Sequence, residues 1–117
     1  MKLENQVCSL DLAKRLKELG VKQESYFWWQ WFEGGQEFEL ADSQHLPEDV
    51  CAFTVAELGE MLPSYAESYR MNEVASQRLH AFWACKAEGI TEHSYADTEA
   101  DARAKMLCYL LEDGLIQ

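Results

Sequence analysis

The sequence predicts an α+β fold: one domain with three helices and an antiparallel sheet of four or more strands, in the order α-ββ-α-ββ-α. Three observations lead to it. Three segments carry matched helix caps and stops, an aromatic run meets a glycine pair, and two later stretches alternate apolar with polar residues. The 117 residues are 48% hydrophobic and 26% charged, with no Pro/Gly/Ser-rich linker, repeat or low-complexity run, so residues 1–117 read as a single unit. For 13.5 kDa, area scaling gives about 6,500 Å² exposed when folded against about 19,600 Å² extended, enough burial for a core without metal or disulfide.

The first helix starts at Ser9, a good N-cap. Leu12, Leu16 and Leu19 then form its apolar stripe, and Gly20 stops it. Val21 is placed to fold back onto Leu16 in a Schellman contact. Next comes Tyr26-Phe27-Trp28-Trp29-Gln30-Trp31-Phe32, residues that favour strands, followed by the tight-turn sequence Glu33-Gly34-Gly35-Gln36. A two-residue loop at Gly34-Gly35 sets Phe32 opposite Glu37, Trp31 opposite Phe38, Gln30 opposite Glu39 and Trp29 opposite Leu40. One face then carries Phe27, Trp29, Trp31, Phe38 and Leu40 and is expected to be core. The other carries Tyr26, Trp28, Gln30, Phe32, Glu37 and Glu39.

The second helix follows Phe53, with Thr54 and Glu57 as a capping box, a Phe53 to Leu58 staple and Pro63 limiting its end. Alternation of Tyr65, Glu67, Tyr69 and Met71, and of Leu79, Ala81, Trp83 and Cys85, predicts two strands joined around residues 72–77. A further short strand at residues 91–95 is left open. Asp97 or Thr98 caps the longest helix, with Ala100, Ala104, Leu107, Cys108 and Leu111 on one face. Gly114 ends it, and Leu115 meets Leu110 in a second Schellman contact.

Twenty-one acids against ten bases give a net charge of -11, which repels phosphate backbones and anionic lipid alike and argues against direct nucleic-acid or membrane binding. Between Lys22 and Arg70 there are ten acids and no base. That stretch is either a solvated surface or a face for a basic partner. Cys8, Cys51, Cys85 and Cys108 lie 43, 34 and 23 residues apart, with no C-x-x-C and no Cys-His spacing suited to zinc, so they read as buried free thiols. With no apolar stretch of signal-peptide length in residues 1–6 and none of membrane-helix length elsewhere, the expected location is a bacterial host cytoplasm.

Three blocks, residues 8–20 (CSLDLAKRLKELG), 54–63 (TVAELGEMLP) and 98–107 (TEADARAKML), carry a resemblance that spans most of the chain. Together they resemble a family of short uncharacterised proteins from bacteriophages, prophages and bacterial mobile elements. The resemblance implies a phage-like cytoplasmic setting and no known activity, and it carries over no catalytic or ligand-binding residue.

Catalytic patterns are missing. There is no G-x-S-x-G elbow, no protease-like cysteine setting and no phosphate-cradling loop, since Gly34-Gly35 lacks a following Lys-Ser/Thr. His45 stands beside Glu48 and Asp49, but this is short of a spaced ligand set. No catalytic residue, metal ligand or cofactor is assigned. The feature left over is the aromatic and acidic outer hairpin face of Tyr26, Trp28, Phe32, Glu37 and Glu39, either covered by another part of the chain or a contact patch for a basic protein or a second copy. The leading reading is a non-enzymatic protein-protein interaction module. An acidic mimic of DNA that inhibits a host nucleic-acid enzyme and a small carboxylate enzyme are the alternatives.

Overall fold

The last helix is buried along half of its residues, and the fold is arranged around it. The computed structural model describes residues 2–32, 37–44, 46–64, 66–75 and 78–116, and the side chains of residues 32, 37, 72–75 and 78–81 lie outside that description. After a 3-10 turn at Leu3–Asn5, the described elements are α1 (Leu10–Glu18), β1 (Trp28–Phe32), β2 (Glu37–Ala41), β3 (Val50–Cys51), α2 (Val55–Met61), β4 (Ala66–Ala75), β5 (Arg78–Ala87), β6 (Ser94–Ala96) and α3 (Glu99–Glu112).

The α+β class and the three helices stand among the described residues; the single sheet does not. Two three-stranded antiparallel sheets form instead, ordered β2-β1-β3 and β4-β5-β6. The element order becomes α-βββ-α-βββ-α because β3 and β6 are two and three residues long, too short for an alternation pattern to reveal. Strands β4 and β5 also run further than their pattern suggests, pairing from Ala66↔Ala87 to Ala75↔Arg78.

Helix ends follow local chemistry closely. At the end of α1 the Gly20 N–H donates to Lys17 O and the Val21 N–H to Leu16 O at 3.1 Å each, with Gly20 at φ 90°. Gly114 (φ 67°) and Leu115 repeat the arrangement after α3, on Leu111 O and Leu110 O. Thr54 and Glu57 make both bonds of the capping box at α2, over buried Phe53 and Leu58. Thr98, rather than Asp97, caps α3 by accepting from the Asp101 N–H at 3.2 Å. Ser9 occupies the N-cap of α1, but its hydroxyl makes no cap bond. Its own N–H donates instead to Asp101 Oδ1 at 2.7 Å, joining the starts of α1 and α3. Arg15 meets Glu112 at 2.7 Å near the other ends, so the two helices run in the same direction.

Ala100, Ala102, Ala104, Met106, Leu107, Cys108 and Leu110 of α3 are all buried, a wider apolar surface than the single stripe read from sequence. The helix touches all three strands of the second sheet as well as α1 and α2. Lys105 ties β6 to it by donating to Tyr95 O at 2.8 Å. The molecule measures 43 × 37 × 19 Å, its thin axis the depth of two packed layers about 10 Å apart. Its exposed area of 7450 Å² exceeds the ~6,500 Å² of a rounder chain of this mass.

The first hairpin holds the expected register at Trp29↔Leu40, Gln30↔Glu39, Trp31↔Phe38 and Phe32↔Glu37, while the Gly34-Gly35 loop lies outside the described residues. Its faces depart from expectation. Trp28, placed on the outer face by parity, is 7% exposed and belongs to the core, whereas Phe27, Trp29, Trp31, Phe38 and Leu40 are only partly buried. The reason is β3, which widens the sheet beside Trp28 and Trp29 and is covered on both sides: Cys51, opposite Trp28, is fully buried and Val50, opposite Trp29, nearly so. Further out, the rings are packed locally, with Trp31 and Phe38 5.0 Å apart and Lys14 of α1 4.8 Å from the Phe38 ring centre.

All four cysteines are buried free thiols. Burial pushes Cys8 and Cys51 up to about 12, and Cys85 and Cys108 to about 11, from an ordinary 9.0. A thiol reagent at pH 8 is therefore expected to label none of them promptly in the native chain and all four in denaturant; prompt labelling of a native thiol would contradict this packing. Above pH ~9 the unfolded chain sheds protons that the folded chain keeps. Stability should then fall as pH rises towards 11, by up to about 1.4 kcal/mol per pH unit for each thiol, as read from denaturant midpoints.

Candidate functional site

The sequence-predicted patch separates in space. Tyr26 is 75% exposed and Glu39 is exposed, but Trp28 is buried. Gln30, on the Trp28 face, has its amide nitrogen enclosed without a hydrogen-bond partner. That end of the hairpin face is covered, not presented. The side chains of Phe32 and Glu37 lie outside the described residues, as does His45.

Tyr26 belongs to a different grouping. Residues 21–27 have no regular structure and are fixed by side chains: Gln23 Oε1 accepts from the Cys51 N–H at 3.0 Å, and Ser25 Oγ donates to Glu57 Oε1 at 2.8 Å. This lays the segment alongside α2. Between them is a furrow of two adjoining hollows, about 510 Å³ and 350 Å³, which share Glu24, Glu57 and Glu60. Tyr26 and Thr54 line the larger hollow; Val21, Lys22, Phe53 and Met61 line the smaller.

The furrow's electrostatics follow from what each carboxylate already does. Glu57 accepts from the Thr54 N–H at 2.9 Å and from Ser25, so it is held in place by its own helix start. Glu24 meets Lys22 at 3.2 Å, but both side chains are largely exposed, and such a pair contributes at most about 1 kcal/mol. Glu60 is exposed, one helical turn from Glu57. Among the described residues Lys22 is the one base lining the two hollows. Chemically, the furrow offers carboxylate acceptors and an aromatic face, a combination suited to an ammonium or guanidinium group. The sequence held part of this signal, because Glu57 and Glu60 stand three apart on a predicted helix. That residues 21–26 lie against that helix was not legible.

A second hollow of about 410 Å³ opens near the start of α3, between Asn5, Val55, Arg70, Trp83 and Glu99. Asp97 and Glu99 both line it, and Glu99 is engaged structurally. Glu99 Oε2 accepts from Ser68 Oγ and from Arg103 Nη2 at 3.3 Å, while Arg103 also donates to Ser68 Oγ at 3.0 Å and to Val55 O at 2.9 Å. This network fastens β4 and the start of α2 to α3. Among the described residues no group of three or more His, Cys, Asp or Glu is placed to hold a metal ion, and no helix is long and apolar enough to cross a membrane.

Asp49, read from sequence as one of the surface acids, is fully buried. Oδ1 accepts from the Trp31 N–H at 2.7 Å and Oδ2 from the Leu46 N–H at 2.9 Å. The carboxylate thus stands in for the strand residue that β3 would otherwise supply to β1. Lys17 of α1 closes over the same turn, donating to Pro47 O at 2.8 Å and Asp49 O at 3.3 Å. Comparison with protein-family models, curated proteins and solved structures finds no match to the chain. Replacing the buried carboxylate should be costly: Asp49→Ala is expected to lose about 2–4 kcal/mol through two stranded donors, and Asp49→Asn less because one acceptor survives, both read from urea midpoints.

Proposed function

We propose that this protein is a non-enzymatic protein-binding module of a phage or related mobile element, and that the furrow between residues 21–26 and α2 receives a basic segment of its partner. One observation carries the reading: the Tyr26 ring stands 75% exposed beside a hollow walled by Glu24, Glu57 and Glu60. An exposed tyrosine supplies rigid contact area at low entropic cost, and carboxylates around it select Lys or Arg over acidic competitors. The resemblance of residues 8–20, 54–63 and 98–107 to phage and mobile-element proteins supplies the biological setting.

The acidic mimic of DNA is the weaker reading. It calls for regularly spaced outward carboxylates, but within the base-free stretch Asp49 is turned inward and Glu57 is bonded to its own backbone. A small carboxylate enzyme has no particular arrangement in its favour, since Glu99 is drawn into the Arg103 network.

The test is titration of the isotope-labelled chain with a Lys/Arg-rich peptide and a neutral peptide of the same length, followed by amide shifts. The basic peptide should shift residues 21–26 and 54–61 and weaken as salt is raised. Tyr26→Ala should reduce its affinity about 3- to 30-fold, the range between an exposed cation–π contact and an interface anchor. Equal binding of both peptides, or indifference to Tyr26→Ala, would rule the furrow out.

A further inference from the structure

The second sheet has one face against α3 and, among the described residues, one face on which no helix is seen to pack. Residue parity separates them. Ser68 and Cys85, paired across β4 and β5, point to α3, Ser68 through Glu99 and Arg103 and Cys85 by full burial. Tyr69, Ala84 and Tyr95 form the neighbouring row across all three strands, on the opposite face. There the side chains pack on one another. Phe82 and Tyr95 are 5.9 Å apart edge to face, Tyr69 Oη lies 3.3 Å from His93 Nδ1, and Lys86 sits 5.5 Å over the Tyr69 ring while pairing with Glu67 at 3.0 Å. Ala84 is completely enclosed in this row, yet Tyr95 remains 49% exposed.

We infer that this face is a self-association surface, occupied by the same face of a second copy of the chain in a two-fold, sheet-on-sheet dimer. Charge selects the occupant. Two copies of a chain of net charge -11 repel one another least where charge is balanced. On the face itself the described charged strand residues are Glu67 and Lys86, which balance each other, against -11 for the whole chain. The patch is also self-complementary: a two-fold axis parallel to the strands and midway between β4 and β5 lays Lys86 of one copy over Glu67 of the other, as an isologous interface requires. Ten-residue strands about 33 Å long, two abreast with a short third, give a flat footprint of roughly 400 Å², below the ~800 Å² per partner of a standard stable interface and in the range of a weak, reversible one.

This surface is separate from the Tyr26 furrow and does not depend on it. The test is sedimentation velocity on the full chain from 5 to 300 µM (roughly the range in which an interface of this size dissociates), at low and at high salt. A reversible dimer is expected, strengthened severalfold by salt because screening relieves the repulsion between copies. Tyr95→Glu should weaken it at least tenfold. Lys86→Glu should weaken it as well, and Lys86→Glu combined with Glu67→Lys, which re-forms the cross-strand pair, should restore it. Tyr26→Ala should leave it unchanged. A chain that stays monomeric at every concentration in both salts would overturn the inference, as would a dimer indifferent to both single substitutions or lost on Tyr26→Ala.

Discussion

A helix with a wide apolar surface to bury constrains everything else in this chain. Seven of the fourteen residues of α3 are buried, and three of those, Ala100, Ala102 and Ala104, are small enough for neighbouring backbones to come close. One face takes the second sheet and the others take α1 and α2. A helix with so wide an apolar surface cannot bury it against one neighbour, so several elements are recruited to cover it. Polar bonds then fix their angles. At the start of α3, Asp101 accepts from the Ser9 N–H, and the Arg103 guanidinium bonds the Val55 carbonyl of α2 and Ser68 of β4.

That arrangement gives meaning to residues that look ordinary in the sequence. Gly59 sits in the middle of α2, where glycine is unfavourable by about 1 kcal/mol relative to alanine. A Cβ there would run into the Arg103 guanidinium. The missing side chain makes room for the arginine to reach Val55, and α2 accepts a poor helix former in exchange for its link to α3. Asp101 shows the opposite balance: burial raises its pKa even though the Ser9 N–H and Lys105 favour the charged form. Desolvation outweighs the charge-assisted bond, so this carboxylate serves alignment of α1 on α3 more than it adds net stability.

Legibility from sequence followed the range of the interactions. Both Schellman endings, the α2 capping box, the hairpin register and the burial of four free thiols depend on neighbours a few residues away or on simple hydrophobicity, and all could be read. The division into two sheets could not, because β3 is recognised only by its pairing with Trp28 and Trp29. The same short strand explains why parity failed at Trp28: alternation states that two sides differ, but not how many of them become covered. Asp49 misled for a related reason. An acid in a polar loop reads as surface until a distant strand offers it an amide, as the Trp31 N–H does. Of the candidate site, Tyr26 was legible as an exposed aromatic, whereas its acidic neighbours proved to be Glu24, Glu57 and Glu60, through packing that no local pattern encodes.

The charge excess sorts the surfaces in the same way. Asp49, Asp101, Glu57 and Glu99 each accept hydrogen bonds from backbone amides, hydroxyls or Arg103, so much of their charge is answered inside the molecule. Residues such as Glu24 and Glu60 act outward, in a neighbourhood where Lys22 is the one base among the described residues. At physiological salt their field fades over about 8 Å, and a surface of balanced charge such as that around Glu67 and Lys86 feels mainly its own residues. Net charge therefore fails as a description of how this chain meets other molecules. What matters is the local balance: an excess of carboxylates over bases beside Tyr26 favours cations in an open hollow, while paired charges around Tyr69 and Tyr95 leave aromatic area whose burial costs little electrostatically.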